Sequence, residues 1–346
     1  MNEPATEQIC NKPLLTIAIP TYNRSRYLRE LLSVLHEQVV KQPDVELIIS
    51  DNASPDDTSA VVAEFQQRGL SVRYMRNAEN IGADANFLQC FAEARGKYFW
   101  LFGDDDVLLP GALRLLTERL ASHTYDLVYV NSFPMESSTA LNAVQGPLTV
   151  KESASASEFA SKVHIYMTFI TGNIIRKEAA LRGLESPASE LRNSNLLQLG
   201  WTYAALNEYH QGLVVEDKLI GARVDNTGGY KLLEVFGPAL HTVTYSRVKD
   251  PRIRAIIMNA AIQRFWPGML MSYRLKAHNF SREAAPEIVL GSVFGNNWRY
   301  WFFTAPIIRL PSALAKVWFL AVRIINRLDR ASGYLLLRLR MPKSKA

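Results

Sequence analysis

The chain has 346 residues, 48% hydrophobic and 21% charged, with a formal net charge of +6. These proportions belong to a folded globular protein and exclude a chain that is disordered throughout, and the length suffices for one large domain or two. Two cysteines, Cys10 and Cys90, offer neither a disulfide framework nor the ligand spacing of a zinc site, which fits a reducing compartment.

Residues 1–13 carry Glu3 and Glu7 and lack the basic start and apolar centre of a secretion signal, so an unstructured leader on a cytoplasmic protein is expected. Leu14 to Ile19 is a β-rich apolar run stopped by Pro20, a buried strand followed by a loop. Leu28, Leu31, Leu32, Leu35 and Val39 then recur at helical spacing. Val45 to Ser50 reads as a second strand, emptying into the turn-forming run Asp51 to Thr58 and a helix through Val61, Val62 and Phe65 that Gly69 closes. Val72 to Met75 is a third strand. After Asn80-Ile81-Gly82 comes a helix through Phe87, Cys90 and Phe91, and then a fully apolar strand from Tyr98 to Phe102.

That strand ends in Gly103-Asp104-Asp105-Asp106. Adjacent aspartates repel one another, so at the tip of a buried strand they call for a counter-charge, and a hard divalent cation, Mg²⁺ or Mn²⁺, is the usual one. The bland alternative is a solvated acidic turn capping the next helix.

Further on, Leu127 to Asn131 offers another strand, while Ser137 to Ala140 and Ser153 to Ser157 read as loop. Phe169 to Ile175 and Leu219 to Val224 are strand candidates, Leu196 to Leu206 is a helix, and Asp225 to Gly229 is a turn. From about Leu232 helical patterns dominate. The six histidines are scattered and read as surface or packed residues. Strands alternating with helices at this spacing give an α/β fold with a mostly parallel sheet, whose ligands bind at the carboxyl ends of the strands. Tyr22, Asp51, Asn80 and Asp104 to Asp106 all fall there or in loops leading into crossover helices.

In order, Pro20-Thr21-Tyr22-Asn23-Arg24, Ser50 to Asp56, Asn80-Ile81-Gly82 and Gly103 to Asp106 make the chain resemble the family 2 glycosyltransferases of GT-A fold, over roughly residues 14 to 230. With Gly82 to Phe87, Phe102-Gly103 and Arg223-Val224-Asp225-Asn226 it is similar to the abequosyltransferase-like branch, which adds a deoxy sugar to a lipid-linked O-antigen intermediate. The resemblance implies a GT-A domain over 14–230 followed by a helical extension over 231–297. It implies nucleotide-sugar contacts from Pro20, Thr21, Tyr22, Arg24, Asp51, Asn52, Asn80, Gly82, Asp84, Asn86, Asp104 and Asp105. The chain departs from the family where Gly103 stands for the aspartate that usually opens the acidic motif. Either Asp104 and Asp106 form the D-x-D pair, or Asp105 and Asp106 hold the metal in family register with Asp104 in support; the second is favoured. For the general base the matching region offers Glu190, with Asp225 as its rival.

From Trp298 onward Arg299, Arg309, Lys316, Arg323, Arg327, Arg330, Arg338, Arg340, Lys343 and Lys345 face Asp329 alone, interleaved with aromatics and aliphatics. No run of about eighteen apolar residues escapes a charge, so a spanning helix is not expected. Residues 298–346 read instead as a tail lying on an anionic membrane surface, the alternative being a helical bundle packed on the catalytic domain. The basic residues do not cluster on a polar face and no recognition motif appears, so nucleic acid is not the expected partner. The expectation is a cytoplasmic enzyme, peripheral on the inner face of the cell membrane, that moves a sugar from a nucleotide-diphosphate donor to a lipid-linked glycan. The competing reading is a non-catalytic nucleotide-sugar or glycan-binding protein that kept the fold. A nucleotidyltransferase fits less well, because Thr21 to Arg26 is not a glycine-rich basic loop.

Overall fold

The structure is a computed structural model describing residues 12–136, 141–224, 231–275 and 285–332. Nine strands form one sheet: β1 (Leu15–Thr21), β2 (Val45–Asp51), β3 (Arg73–Arg76), β4 (Tyr98–Leu101), β5 (Val107–Leu108), β6 (Leu127–Met135), β7 (Val150–Ser153), β8 (Asn173–Arg176) and β9 (Gly212–Arg223). Their order is β3-β2-β1-β4-β8-β6-β9-β5, with β7 also on β9. Neighbours among β3, β2, β1 and β4 are parallel, as are β6 and β9, while β8, β5 and β7 run antiparallel to their partners. The sheet is therefore mixed: β3-β2-β1-β4 is the parallel half that the alternation of strands and helices predicts, while β8, β5 and β7 bring antiparallel pairings into the rest.

Period-two alternation assigns each strand's side chains to two cores. Leu15, Ile17, Ile19, Tyr98, Trp100 and Phe102 enter one, under α1 (Ser25–Val39), α2 (Thr58–Gln67) and α4 (Ala112–Ser122). Ala18, Ile48, Phe99 and Leu101 enter the other, with α3 (Ala83–Glu93), α5 (Ala156–Val163), α6 (Lys177–Gly183) and α7 (Leu199–Asn207). Phe91 stacks on Trp201 at 4.4 Å between centroids and meets Phe99 edge-on at 5.1 Å, which pins α3 and α7 onto β4.

Several elements differ from the sequence reading. The segment 153–157, expected as loop, ends β7 and starts α5: the Ser155 side chain accepts from Glu158 N at 3.2 Å, an S-x-x-E helix start hidden in small polar residues. The expected strand over 169–175 begins as a 3₁₀ turn, Ile170–Gly172, before β8. The strand expected over 219–224 is only the second half of β9, whose middle, Glu216-Asp217-Lys218, breaks the apolar run. Register shifts between β6 and β9 around Val130, Asn131 and Ser132 mark a bulge there.

The remaining helices are α8 (Leu232–Glu234), α9 (Leu240–Arg247), α10 (Pro251–Ala260), α11 (Trp266–Arg274), α12 (Pro286–Phe294), α13 (Ala305–Arg309) and α14 (Ser312–Ala331). π-helical turns at Val235–Ala239, Ala261–Phe265 and Tyr300–Thr304 interrupt them. Tyr300, Ala305, Ile307 and Ala315 are buried in the same core as α7 and α10. The boundary expected at residue 298 thus falls inside a packed helical unit, while α14 turns a broad apolar face outward. Cys10, the stretch Ser137 to Ala140, Asp225 with the turn after it, His278 and residues 333–346 lie outside the described residues.

Candidate active site

The carboxyl ends of β1, β2 and β4 open on one cavity of about 1680 Å³. Its wall contains Pro20 and Thr21 from the end of β1, which runs through Pro20 where the sequence predicts a stop, Tyr22 and Arg24 from the loop after it, Asn52 after β2, Asn80, Gly82, Asp84 and Asn86 at the entry to α3, and Asp104, Asp105 and Asp106 after β4. The strand-end residues singled out from the sequence therefore meet, Asp51 excepted. Asp51 is fully buried behind the wall: one oxygen accepts from Ser54 N at 2.8 Å, the other from the Tyr74 hydroxyl at 2.6 Å, with Arg76 at 3.3 Å. Glu190 is away from the cavity lining, in the 3₁₀ turn Ala188–Leu191, exposed and paired with Arg247 at 3.0 Å. Asp225, the rival base, lies outside the described residues.

The loops are tied into one rim. Asp56 accepts from Ser25 N at 2.8 Å and the Ser54 hydroxyl from Asn23 N at 2.9 Å, joining the β2 loop to the start of α1. The Asn52 amide donates to Asn80 Oδ1 at 2.7 Å, and its carbonyl oxygen accepts from Asn77 Nδ2 and Ile81 N, each at 3.0 Å. Gly82 precedes α3 with φ +85°, a conformation that strains any side chain but glycine. Asn86, 2% exposed, is held by Ser50 through Oδ1 at 2.6 Å and Nδ2 at 2.9 Å. Tyr22 remains 43% exposed, an aromatic face at the cavity mouth.

The acidic turn is held from three sides. Arg24 pairs with Asp104 at 3.0 Å and reaches Asp105 at 3.5 Å. Thr171 donates its hydroxyl proton to Asp106 and accepts from Gly103 N at 3.0 Å. Arg223 donates its backbone N–H to Asp106 at 3.1 Å and Nε–H to the Asp105 carbonyl at 3.1 Å, while its guanidinium pairs with Glu30 and stands 4.8 Å over the Tyr27 ring. Thr171 and the positioning part of Arg223 escape sequence reading. The signal for Arg223 is its place at the end of β9; Thr171 gives none, because its importance comes from the 3₁₀ turn that precedes the neighbouring strand β8.

Gly103 also finds its reason here. A Cβ at this position would lie 3.0 Å from Asp106 Oδ2, 3.1 Å from Asp105 Oδ1 and 3.1 Å from Thr171 Oγ1. Burial, with Asp105's charge adding to it, pushes the Asp104 carboxyl up to about 6 against the pull of Arg24. Burial and Asp105 push Asp106 up to about 7. Burial thus outweighs the pull of Arg24 and makes the turn ready to bind a proton or another cation. Burial also raises the Asp84 carboxyl, which accepts from Asn193 N at 2.6 Å.

Residues 16–179 match the family described as Glycosyl transferase family 2. This stretch is a family 2 glycosyltransferase domain. Over 110 residues the chain is 41% identical to the abequosyltransferase RfbV of Salmonella typhimurium, which is 32% of this chain and 33% of that protein. Over 120 residues it is 33% identical to the GalNAc(5)-diNAcBac-PP-undecaprenol beta-1,3-glucosyltransferase of Campylobacter jejuni, 34% of this chain and 38% of that one. The alignments thus span little more than a third of these curated relatives. The crystal structure of S. aureus TarS 1-349 in complex with UDP superposes with a TM-score of 0.59 at 16% identity, covering 96% of this chain and 95% of that one. Its complex with UDP-GlcNAc gives 0.60 at 15% identity, covering 92% of each. The fold of the family 2 domain here is the GT-A type, with a helical region following the sheet.

Among the described residues no three His, Cys, Asp or Glu side chains converge as a ligand cage for a metal. That does not disqualify the acidic turn, because Mg²⁺ is usually held by one or two carboxylates and completes its shell with substrate phosphates and water. The donor chemistry fits: hard oxygens, closely spaced and with raised proton affinity, are what a divalent cation would relieve.

Proposed function

We infer that the chain is a glycosyltransferase that moves a sugar, of the deoxyhexose or hexose class, from a nucleotide-diphosphate donor to a lipid-linked glycan in surface-polysaccharide synthesis. The observation that carries this reading is the meeting of an aromatic and amide-rich rim, Tyr22, Asn52 and Asn80, with the acidic turn Asp104 to Asp106 in one cavity at the carboxyl edge of the sheet. Such a rim suits a base and ribose, and the turn suits a metal-bound diphosphate. RfbV's name supports the sugar class and the Campylobacter enzyme's name supports a diphospholipid acceptor.

Asp105, with Asp106 and Asp104 behind it, would hold Mg²⁺ or Mn²⁺, and that ion would supply a Lewis acid for the charge left on the departing nucleotide. Arg24 keeps Asp104 and Asp105 oriented and adds positive charge beside the diphosphate. Thr171 and Arg223 fix the backbone of the turn.

An acceptor hydroxyl also needs a base within reach of its proton. Of the described cavity carboxylates, Asp104 and Asp105 face Arg24, Asp106 faces Thr171 and the Arg223 backbone, and Glu216 pairs with Lys151. Asp84 answers a single backbone N–H and its carboxyl is raised by burial, which moves it toward the working range of a general base. We assign the base role to Asp84 in place of Glu190.

The enzyme works at the cytoplasmic surface of the membrane, where a lipid-linked acceptor is found. No helix among the described residues is long and apolar enough to cross a membrane. On α14, however, Leu314, Val317, Ile324 and Leu328 recur on one face, each more than half exposed, with Lys316, Arg323 and Arg327 exposed beside them. An apolar stripe edged by cations suits a helix lying on anionic lipid. The test of the whole reading is transfer: purified chain, Mn²⁺, a panel of nucleotide sugars and lipid-linked acceptors. Metal-dependent nucleotide binding without turnover on any acceptor would favour a binding protein instead.

A further inference from the structure

The cavity does not end at the acidic turn. Its far wall is built from Lys162 on α5, His164 just after it, Arg264 in the π-turn Ala261–Phe265, and Arg323, Asn326 and Arg330 on α14. α14 is locked in place there: Gln263 Nε2 donates to Asn326 Oδ1 at 2.8 Å, Asn326 Nδ2 donates back to the Gln263 carbonyl at 2.9 Å, and Arg264 pairs with Asp329 at 2.7 Å. The side chains that hold the helix are distinct from the two arginines it presents.

The charges at this end do not balance. Lys162 is answered by Glu158 at 2.8 Å and Arg264 by Asp329. Arg323 and Arg330 have no carboxylate partner among the described residues. His164 is 4% exposed, its Nδ1 has no hydrogen-bond partner, and its backbone sits at φ +43°. An unpartnered buried polar atom and a strained non-glycine backbone coincide in this one residue, and such outliers cluster at ligand sites. Burial and the charges of Arg264 and Arg330 hold this imidazole neutral, so it adds a polar contact without a further cation.

We propose that this wall, centred on Arg323 and Arg330, binds the phosphate or diphosphate that joins the acceptor glycan to its lipid. The proposal rests on the transferase reading and adds to it where the acceptor's anion goes. The same helix carries the exposed apolar face of Leu314, Val317, Ile324 and Leu328, so the anion would be bound at the lipid boundary while the glycan extends along the cavity toward the acidic turn. Two excess cations match the charge of a diphosphate, and guanidinium groups grip phosphate oxygens in pairs.

The same anion chemistry could come from bulk lipid headgroups or free pyrophosphate, and vesicle binding separates them. Full-length chain is titrated with neutral vesicles containing a polyprenyl diphosphate, with vesicles of equal charge containing phosphatidylglycerol, and with inorganic pyrophosphate. The native chain should prefer the polyprenyl diphosphate over phosphatidylglycerol by about tenfold or more, the scale of charged hydrogen bonds to a seated anion. The double variant Arg323→Gln/Arg330→Gln should lose that preference with an unchanged melting temperature. The charge-matched control Lys316→Gln/Arg327→Gln, on the same helix but outside the cavity lining, should bind anionic vesicles more weakly yet keep the preference. The proposal fails if the native chain shows no preference, if free pyrophosphate alone accounts for it, if the double variant retains it, or if both double variants lose it equally. Nucleoside diphosphate binding, measured calorimetrically on the same samples, reports on the other end of the cavity. Its absence from the native chain would sink the transferase reading, whereas its presence without a lipid preference would sink this proposal alone.

Discussion

Arg24 and Asp104, 80 residues apart in sequence, are joined by a 3.0 Å ion pair that ties the loop after β1 to the turn after β4. Asp104 is 4% exposed, so the pair stands where water screens it poorly on the carboxylate side, while Arg24 remains partly open to the cavity. Arg24→Ala should leave a buried carboxylate uncompensated and cost about 1–2 kcal/mol of stability at neutral pH. The loss should shrink below pH 6, because the Asp104 carboxyl titrates at about 6 and its protonated form needs no partner. Urea unfolding of both chains at the two pH values checks this; an equal loss at both would mean that Arg24 contributes packing and not charge.

The acidic turn makes stability depend on pH in a definite direction. Asp104 and Asp106 have folded-state carboxyls raised to about 6 and about 7, above the ordinary value near 4. Between those values the folded chain binds more protons than the unfolded one, so each group's penalty is absent at low pH and grows as pH rises through its folded value. In the absence of divalent ions the melting temperature should fall from about pH 5 to about pH 8. Added Mn²⁺ should raise it most at the upper end, where protons no longer compete. Calorimetry with and without Mn²⁺ reads both effects, and a metal response that weakens with rising pH would contradict the assignment.

Asp105 and Asp106 should respond differently to substitution. Asp105 is partly exposed in the cavity, so Asp105→Ala should abolish transfer and leave the melting temperature within a few degrees. Asp106 is 4% exposed and bonded to Thr171 and Arg223, so Asp106→Ala should also destabilise, by about 1–3 kcal/mol, through the two donors it orphans. Transfer assays paired with melting curves separate the two. Near-normal activity in both variants would remove the metal site from the reading.

At Gly103 the family's usual aspartate should be harmful here. Gly103→Ala places a carbon 3.0–3.1 Å from three oxygens and should cost about 1–3 kcal/mol, and Gly103→Asp more, since it adds a further negative charge beside three carboxylates. A stabilised or more active Gly103→Asp chain would show that the turn opens more freely than its contacts imply.

Asp84→Asn should lower kcat for transfer by at least about a hundredfold while leaving donor affinity within a fewfold, the mark of a lost base. A rise in donor KM with kcat unchanged would make Asp84 a binding group. Glu190→Gln should do neither, because Glu190 is exposed beside Arg247 and outside the cavity lining.

Much of this site is legible in the chain because parallel α/β folds deliver strand ends to one edge. Tyr22, Asn80 and the aspartates could be placed together from apolar runs and turn residues alone. Asp51 reads the same way and yet turns inward, since its partners Ser54 and Tyr74 come from a loop and a neighbouring strand that periodicity does not relate. The holding roles of Thr171 and Arg223 were hidden for the same reason: a 3₁₀ turn before β8 and the end of β9 bring them to the acidic turn from 65 and 117 residues away. The helical region misled differently. Alternating aromatics, aliphatics and cations over 298–331 suit both packing and lipid, and the chain divides them, with Tyr300, Phe303 and Ile307 inside and Leu314, Val317 and Leu328 outside.

The cavity draws lining residues from β1 and from α14, so the two ends of the described chain must meet before the pocket is whole. A chain lacking α14 would lose Arg323 and Arg330 from the cavity and would also uncover part of the core that Tyr300, Ala305 and Ile307 share with α3 and α7. Truncation there should therefore damage the packing of the sheet's second face as well as the cavity, so the two cannot be removed one without the other.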